Sequence, residues 1–251
     1  MREGAADRQG RADLIARRPL VKEVARRWPE RAGEAEELIA AGAVQVDGLP
    51  ATNPRSLVDA SASVRLAPDR TLRGRPKLEA ALAHFGVAAA GAVALDAGAA
   101  AGGFVQALLA AGAARVYAVE AGYGQLLGSL AQDPRVVSLE RTNVGSLSRE
   151  LVPEPLDLVS LDVGYLPLAT AVPQLGVLAF APGAELLGLV KPKDELGLGS
   201  LPEDADAAIE AAIAHASEGI SGAGWEVVGT MRSPVTGSRG AVEAFVHARR
   251  P

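Results

Sequence analysis

The sequence predicts an α/β protein whose larger part is a doubly wound, mostly parallel sheet, preceded by a small α+β domain. Two patterns carry this. From Val93 onward, short apolar runs recur between helical segments, each closing on a polar residue or glycine. Ahead of them, two short amphipathic helices lead into short strands. The 251 residues, 49% hydrophobic, suffice for one large core and a smaller one.

Residues 1–17 mix charge with Gly and Ala without apolar period and read as a flexible tail. From Pro19, Leu20, Val21, Val24, Ala25 and Trp28 fall at helical spacing, while Arg18, Lys22 and Arg26 repeat every fourth residue on another face. A second helix spans 32–41 and stops at Gly42. Val44-Gln-Val46-Asp-Gly48 reads as strand and turn, and Ser63-Val-Arg-Leu66 as a further strand after the turn at Asn53-Pro54. These elements form a domain over 18–68, joined by a linker at 69–75 to a second domain over 76–251.

Pro76 suits the first position of a helix carrying Leu78, Ala81, Leu82 and Phe85, with Gly86 as its stop. Strands are expected at 93–97, 116–119, 136–139, 156–161 and 185–190. Their uniformly apolar character fits parallel strands buried on both faces. A last helix over 205–217 precedes a closing hairpin, 225–231 with 241–247.

Composition narrows the functional classes. No cysteine is present, and His84, His215 and His247 lack ligand spacing, so no metal is expected. The apolar runs are too short and interrupted to cross a membrane, and the N-terminus is too polar for a signal-peptide core, which predicts a cytoplasmic protein with no membrane partner. The net charge of −5 is uneven. Residues 1–75 hold 14 Lys/Arg against 11 Asp/Glu, a balance of +3, leaving 11 against 19, or −8, for the rest. The basic end is the expected polyanion contact.

Polar residues at strand ends of an open α/β sheet converge on one crevice however far apart they lie in sequence. Here the first such end is Asp96-Ala-Gly98-Ala99-Ala100-Ala-Gly102-Gly103-Phe104, a glycine-rich turn that lets backbone approach a ligand and aims helix N–H groups at it. Its Gly-x-x-x-Gly-Gly spacing departs from the dinucleotide fingerprint. Glu120 ends the second strand, placed to accept ribose hydroxyl protons, so the pair points to a nucleoside cofactor. Asp162 and Lys191 close the fourth and fifth strands. Glu243 lies in the apolar strand 241–246, where a carboxylate must be edge-exposed or paired with a cation. Only four lysines (Lys22, Lys77, Lys191, Lys193) stand against 21 arginines, yet one ends a strand and another lies on the helix entering the second domain. A lysine, unlike an arginine, can lose its proton and act as a base.

These residues resemble the TlyA family of ribosomal RNA 2′-O-methyltransferases, whose catalytic domain is similar to that of the FtsJ class. The likeness runs from about residue 18 to the end through Lys77-Leu-Glu-Ala-Ala-Leu82, Gly102-Gly-Phe104, Gly122-Tyr-Gly-Gln-Leu126, Leu139-Glu-Arg-Thr-Asn143, Leu189-Val-Lys-Pro192 and Ser233-Pro-Val-Thr-Gly237. It implies a Rossmann-like S-adenosylmethionine (SAM) methyltransferase sheet behind an S-four-type RNA-binding domain, matched by residues 34–48. It also implies a catalytic tetrad of Lys77, Asp162, Lys191 and Glu243, within which Lys191, crowded by the cationic Lys77, is expected to act as general base. Asp96, Gly98, Ala99, Ala100, Gly102, Gly103, Phe104, Glu120 and Asn143 would hold SAM. Ribosomal RNA or ribosomal subunits would be the partner, its phosphates met by Arg18, Lys22, Arg26, Arg27, Arg31, Arg73 and Arg75.

The chain departs from its relatives at Ala100-Ala101, where Ser-Thr is usual, at Gly164-Tyr-Leu-Pro167 after the tetrad aspartate, and at Pro192-Lys-Asp-Glu195 after Lys191. Two other readings therefore stand beside the first. One is a non-catalytic RNA- or ribosome-binding relative, and the other a methyltransferase acting on a different RNA or a small molecule.

Overall fold

The computed structural model describes residues 17–40, 42–59, 61–66, 72–200 and 202–251. They form two compact units, Met1–Arg70 and Thr71–Pro251. The expected tail, apart from Arg17, and the linker before Leu72 lie outside the described residues.

In the first unit, β1 (Arg18–Pro19), α1 (Leu20–Arg27), a 3-10 segment (Pro29–Glu34) and α2 (Ala35–Ala40) precede β2 (Val44–Val46), β3 (Leu49–Ala51), β4 (Leu57–Val58) and β5 (Val64–Leu66). Asp47 and Gly48, at φ 51° and 84°, turn β2 back onto β3 as a tight hairpin. The sequence reading missed β3 because it contains Pro50. That proline is tolerated because β3 is the edge of the sheet order β3-β2-β5. The expected second helix divides at Ala35 into a 3-10 turn and α2. Leu20, Val24, Ile39, Val44, Val58 and Val64 fill the core.

The second unit runs α3 (Gly74–Phe85), β6 (Val93–Ala97), α4 (Gly103–Ala110), β7 (Arg115–Glu120), α5 (Gly128–Ala131), β8 (Val136–Glu140), β9 (Leu156–Leu161), α6 (Leu168–Gln174), β10 (Phe180–Val190), α7 (Pro192–Glu195), α8 (Ala205–Gly222), β11 (Glu226–Arg232) and β12 (Ala244–Arg249). The sheet order is β11-β12-β10-β9-β6-β7-β8. All pairs are parallel except those of β12, antiparallel to β10 and β11. The chain winds outward from β6 through β7 to β8, then returns to lay β9 on the other side of β6. That reversal opens a crevice at the carboxyl ends of β6 and β9.

Alternate residues of the strands serve opposite faces. Ala94, Leu158 and Leu187 pack with Leu78, Leu82, Val105 and Leu108 of α3 and α4. Leu95, Val159 and Leu186 pack with Val172, Ile209, Ala212 and Ile220 of α6 and α8. Each fully buried aliphatic side chain contributes about 1.5–3 kcal/mol relative to exposure.

Several boundaries differ from the sequence expectation, three of them by position of a named residue. Helix α3 starts at Gly74, so Pro76 sits within its first turn, where N–H groups have no helical acceptor to lose. Strand β10 begins at Phe180 and breaks register before Glu185. Strand β12 begins at Ala244, so Glu243 stands just ahead of it rather than inside it.

Candidate active site

The glycine turn between β6 and α4 is shaped by contacts that leave no room for side chains. Gly98 (φ 88°) lies so close to Asp162 that a Cβ would strike its carbonyl oxygen, and Asp162 N donates to Ala97 O at 2.9 Å. Gly102 (φ 97°) likewise excludes a Cβ, against Leu126 and Leu130. At Gly103 a Cβ would come within 2.8 Å of Gly74 Cα, so the starts of α3 and α4 touch through backbone. Ala100 adopts φ 45°, and its N–H donates to Glu120 Oε2 at 2.9 Å. No side chain caps the first turn of α4. Gly98 N and Ala99 N donate to Val119 O and Gly102 N to Ala99 O, so the turn is a fixed backbone cradle that opens onto the uncapped start of α4, where a helix N-terminus can meet a ligand.

Glu120 organises the neighbouring loops as well. Its Oε1 accepts from Gly122 N at 2.7 Å, and its backbone carbonyl accepts from Thr142 N at 3.0 Å. Arg141 N donates to Gly122 O at 2.9 Å, lacing the loop after β7 to the one carrying exposed Asn143.

The four tetrad candidates form two ion pairs. Lys77 Nζ donates to Glu243 Oε2 at 2.5 Å, with side chains 6% and 5% exposed. Lys191 Nζ sits against Asp162 Oδ1, and both side chains are about a quarter exposed. Lys77 is thus committed to Glu243, and Lys191 carries the amine that solvent can reach. A Cβ at Gly237 would overlap the Glu243 carboxylate where it now lies, so a side chain there would have to shift Glu243 away from Lys77.

Lys191 and Glu243 line one cavity of about 820 Å³. Its walls add Lys193, Ser200, Ser238 and Arg239, the last with φ 58°. Neither Lys193 nor Arg239 was singled out as a site residue from the sequence. Lys193 was legible two residues beyond a strand-end lysine. Arg239 lies in an irregular turn with no pattern to mark it.

A family model for FtsJ-like methyltransferases matches residues 71–250. The chain belongs to this family. It is 41% identical over 249 residues to the 16S/23S rRNA (cytidine-2′-O)-methyltransferase TlyA of Mycobacterium tuberculosis, covering 94% of this chain and 91% of that protein. It is 29% identical over 231 residues to Hemolysin A of Brachyspira hyodysenteriae, covering 88% and 94%. A solved structure of a hemolysin-named protein from Streptococcus thermophilus matches with a TM-score of 0.67 at 27% identity, covering 94% of this chain and 89% of that one. Among the described residues no helix is long and apolar enough to cross a membrane.

In this FtsJ-like methyltransferase, some expected cofactor residues prove to lie beneath the cradle. Asp96 is fully buried, and its Oδ1 accepts from Ser160 Oγ at 2.8 Å while Oδ2 has no hydrogen-bond partner among the described residues. Burial pushes its carboxyl up to about 7, against the Ser160 bond and with help from Asp162 and Glu120. Phe104 is buried and stacks on Phe245 at 6.0 Å, and Ala99 is buried too. Asp96 and Phe104 therefore support the cradle from below. Gly98, Ala100, Gly102, Gly103 and Glu120 form its shape.

The expected phosphate-binding cations also divide. Glu23, buried in α1, gathers Arg18, Arg26 and Arg27. The Arg26 guanidinium, followed by Arg27, holds its carboxyl down at about 2 against the cost of burial. Arg27 adds bonds to Val64 O and Ala62 O at 2.9 Å each, which hold α1 against the chain at and just before β5. Three of its five N–H donors are thereby committed to the fold. Arg31 pairs with Glu34 and Arg75 with Glu79. Lys22 and Arg73 are exposed, with no ion-pair partner among the described residues.

Proposed function

We propose that this chain transfers a methyl group from SAM to a ribose 2′-hydroxyl of ribosomal RNA in the cytoplasm. The observation that carries the proposal is the pairing of Lys191 with Asp162 beside a cavity that Glu243 also lines, directly behind Gly98. The 41% identity to a protein named for that reaction supports it.

SAM supplies an electrophilic methyl group when bound. The cradle from Gly98 to Gly103 would hold its methionine end, Glu120 its ribose hydroxyls, and the Asn143 loop its adenine. The Ala100-Ala101 departure removes side-chain hydroxyls from this contact but leaves the backbone amides. The chain's remaining work is orientation and proton removal. Lys191 Nζ, as the neutral amine left once its own proton has passed to solvent, would take the ribose hydroxyl proton as that oxygen accepts the methyl group SAM would supply. Asp162 stabilises the resulting ammonium. Glu243, held by Lys77, faces the substrate cavity as a hydroxyl acceptor. Lys193 and Arg239 would meet the phosphates flanking the target ribose, and Lys22 and Arg73 phosphates farther along the RNA.

The test is incubation with labelled SAM and isolated ribosomal subunits, followed by mapping of ribose methylation through resistance to alkaline cleavage. Transfer to one or a few sites is expected. No transfer to either subunit would overturn the proposal.

A further inference from the structure

The departure Pro192-Lys-Asp-Glu195 retains a glutamate, and the site chemistry above leaves it without a task. Glu195 is 4% exposed. Its Oε2 accepts from Leu168 N at 2.6 Å, and its Oε1 from Ala169 N at 3.1 Å and against His215 Nδ1 at 2.9 Å. The same residue donates its own N–H to Lys191 O at 2.8 Å. Glu195 thus belongs to the turn that follows Lys191, while its carboxylate grips the start of α6, six residues beyond Asp162.

That start of α6 is fixed from two further sides. Gly219 of α8 packs so closely on Ala169 that a Cβ would overlap its backbone, and Leu168 lies over Gly188, leaving 2.8 Å to a Cβ there. The loop from Asp162 to Pro167 therefore ends on an anchored point, and Glu195 ties that point to the Lys191 turn.

We propose that Glu195 is a positioning residue that clasps the Lys191 turn to the Asp162 loop and so sets the geometry of the Lys191–Asp162 pair. The inference rests on the methyltransferase reading for its rate effect, but not for its structural one. A shift of about 1 Å at reacting groups can cost about 10²-fold in rate.

The experiment compares wild type with Glu195→Ala and the isosteric Glu195→Gln in two measurements. Amide hydrogen exchange should rise together in residues 162–169 and 191–196 while the segment 98–106 stays protected. Single-turnover methyl transfer to ribosomal subunits should fall at least tenfold for Glu195→Ala and less for Glu195→Gln, with KM for RNA and SAM affinity within about twofold. Unchanged exchange, loosening of one segment alone, or loosening without loss of rate would overturn the clasp. Failure of both variants to fold would also overturn it, making Glu195 a requirement of the fold. Should wild type fail to methylate ribosomal RNA, the substrate reading falls, and the exchange measurement alone decides the clasp.

Discussion

The Lys77 ammonium and the Glu243 carboxylate, 166 residues apart in the chain, meet at 2.5 Å in a nearly dry setting. The contact joins the first turn of α3 to the residue before β12, so it ties the antiparallel end of the sheet, one strand in from its β11 edge, to the helix that enters the domain. Removing one partner of a buried pair leaves an uncompensated charge, which costs about 3–5 kcal/mol. Lys77→Met should therefore destabilise the protein by that order in urea unfolding, and Lys77→Met with Glu243→Leu should recover most of the loss. A single-variant cost below about 1 kcal/mol would show that the pair is not desolvated.

Asp96 gives the protein a pH-dependent stability of definite sign. Its folded value, about 7, lies above its ordinary 3.8, so the folded state binds more protons between them. The stabilisation is complete below the lower value and lost as pH rises through about 7. Asp96→Asn keeps an acceptor for Ser160 and carries no titrating charge. It should melt at a higher temperature than wild type at pH 8 and flatten the decline between pH 5 and 8. Parallel melting curves for the two proteins would contradict this.

The cradle predicts a cofactor effect separable from folding. Glu120→Ala removes the acceptor for Ala100 N and Gly122 N, freeing the glycine turn. Calorimetry should find SAM affinity reduced at least tenfold, with unfolding cost limited to about 1–3 kcal/mol. Unaltered affinity would mean that Glu120 neither holds the ribose nor is needed to shape the turn.

In the first unit, Arg27 and Lys22 should behave oppositely although both are cations of α1. Arg27→Ala breaks bonds to Glu23, Val64 O and Ala62 O and should cost about 1–3 kcal/mol of stability. Lys22→Ala should leave stability unchanged and lower the salt dependence of RNA binding by about 0.7–0.9 in log–log slope. Equal slopes for wild type and Lys22→Ala would remove Lys22 from the RNA contacts.

The sheet was legible because buried parallel strands must be apolar on both faces, so 93–97, 116–119 and 156–161 announce themselves. The strand-end residues Glu120, Asp162 and Lys191 followed from that geometry alone. The partition of the charges was not legible. Nothing in spacing tells that Lys77 pairs with Glu243 rather than crowding Lys191, because the pairing depends on how α3 and β12 meet in space. Of the Arg18, Lys22, Arg26 repeat, Lys22 and Arg26 lie on α1 but Arg18 falls in β1, and the burial of Glu23 and the carbonyls of Ala62 and Val64 that engage Arg27 come from packing the pattern cannot see. Glu195 was visible only as the end of a variant motif, since its partners lie on α6 and α8.

The central claim is that Lys191 removes the substrate proton while Asp162 steadies it. The direct measurement is single-turnover methyl transfer from labelled SAM to ribosomal subunits by Lys191→Ala, alongside its SAM affinity. A rate about 10²–10⁴-fold below wild type with SAM binding intact is the predicted result. Near-normal methylation by that variant would contradict it.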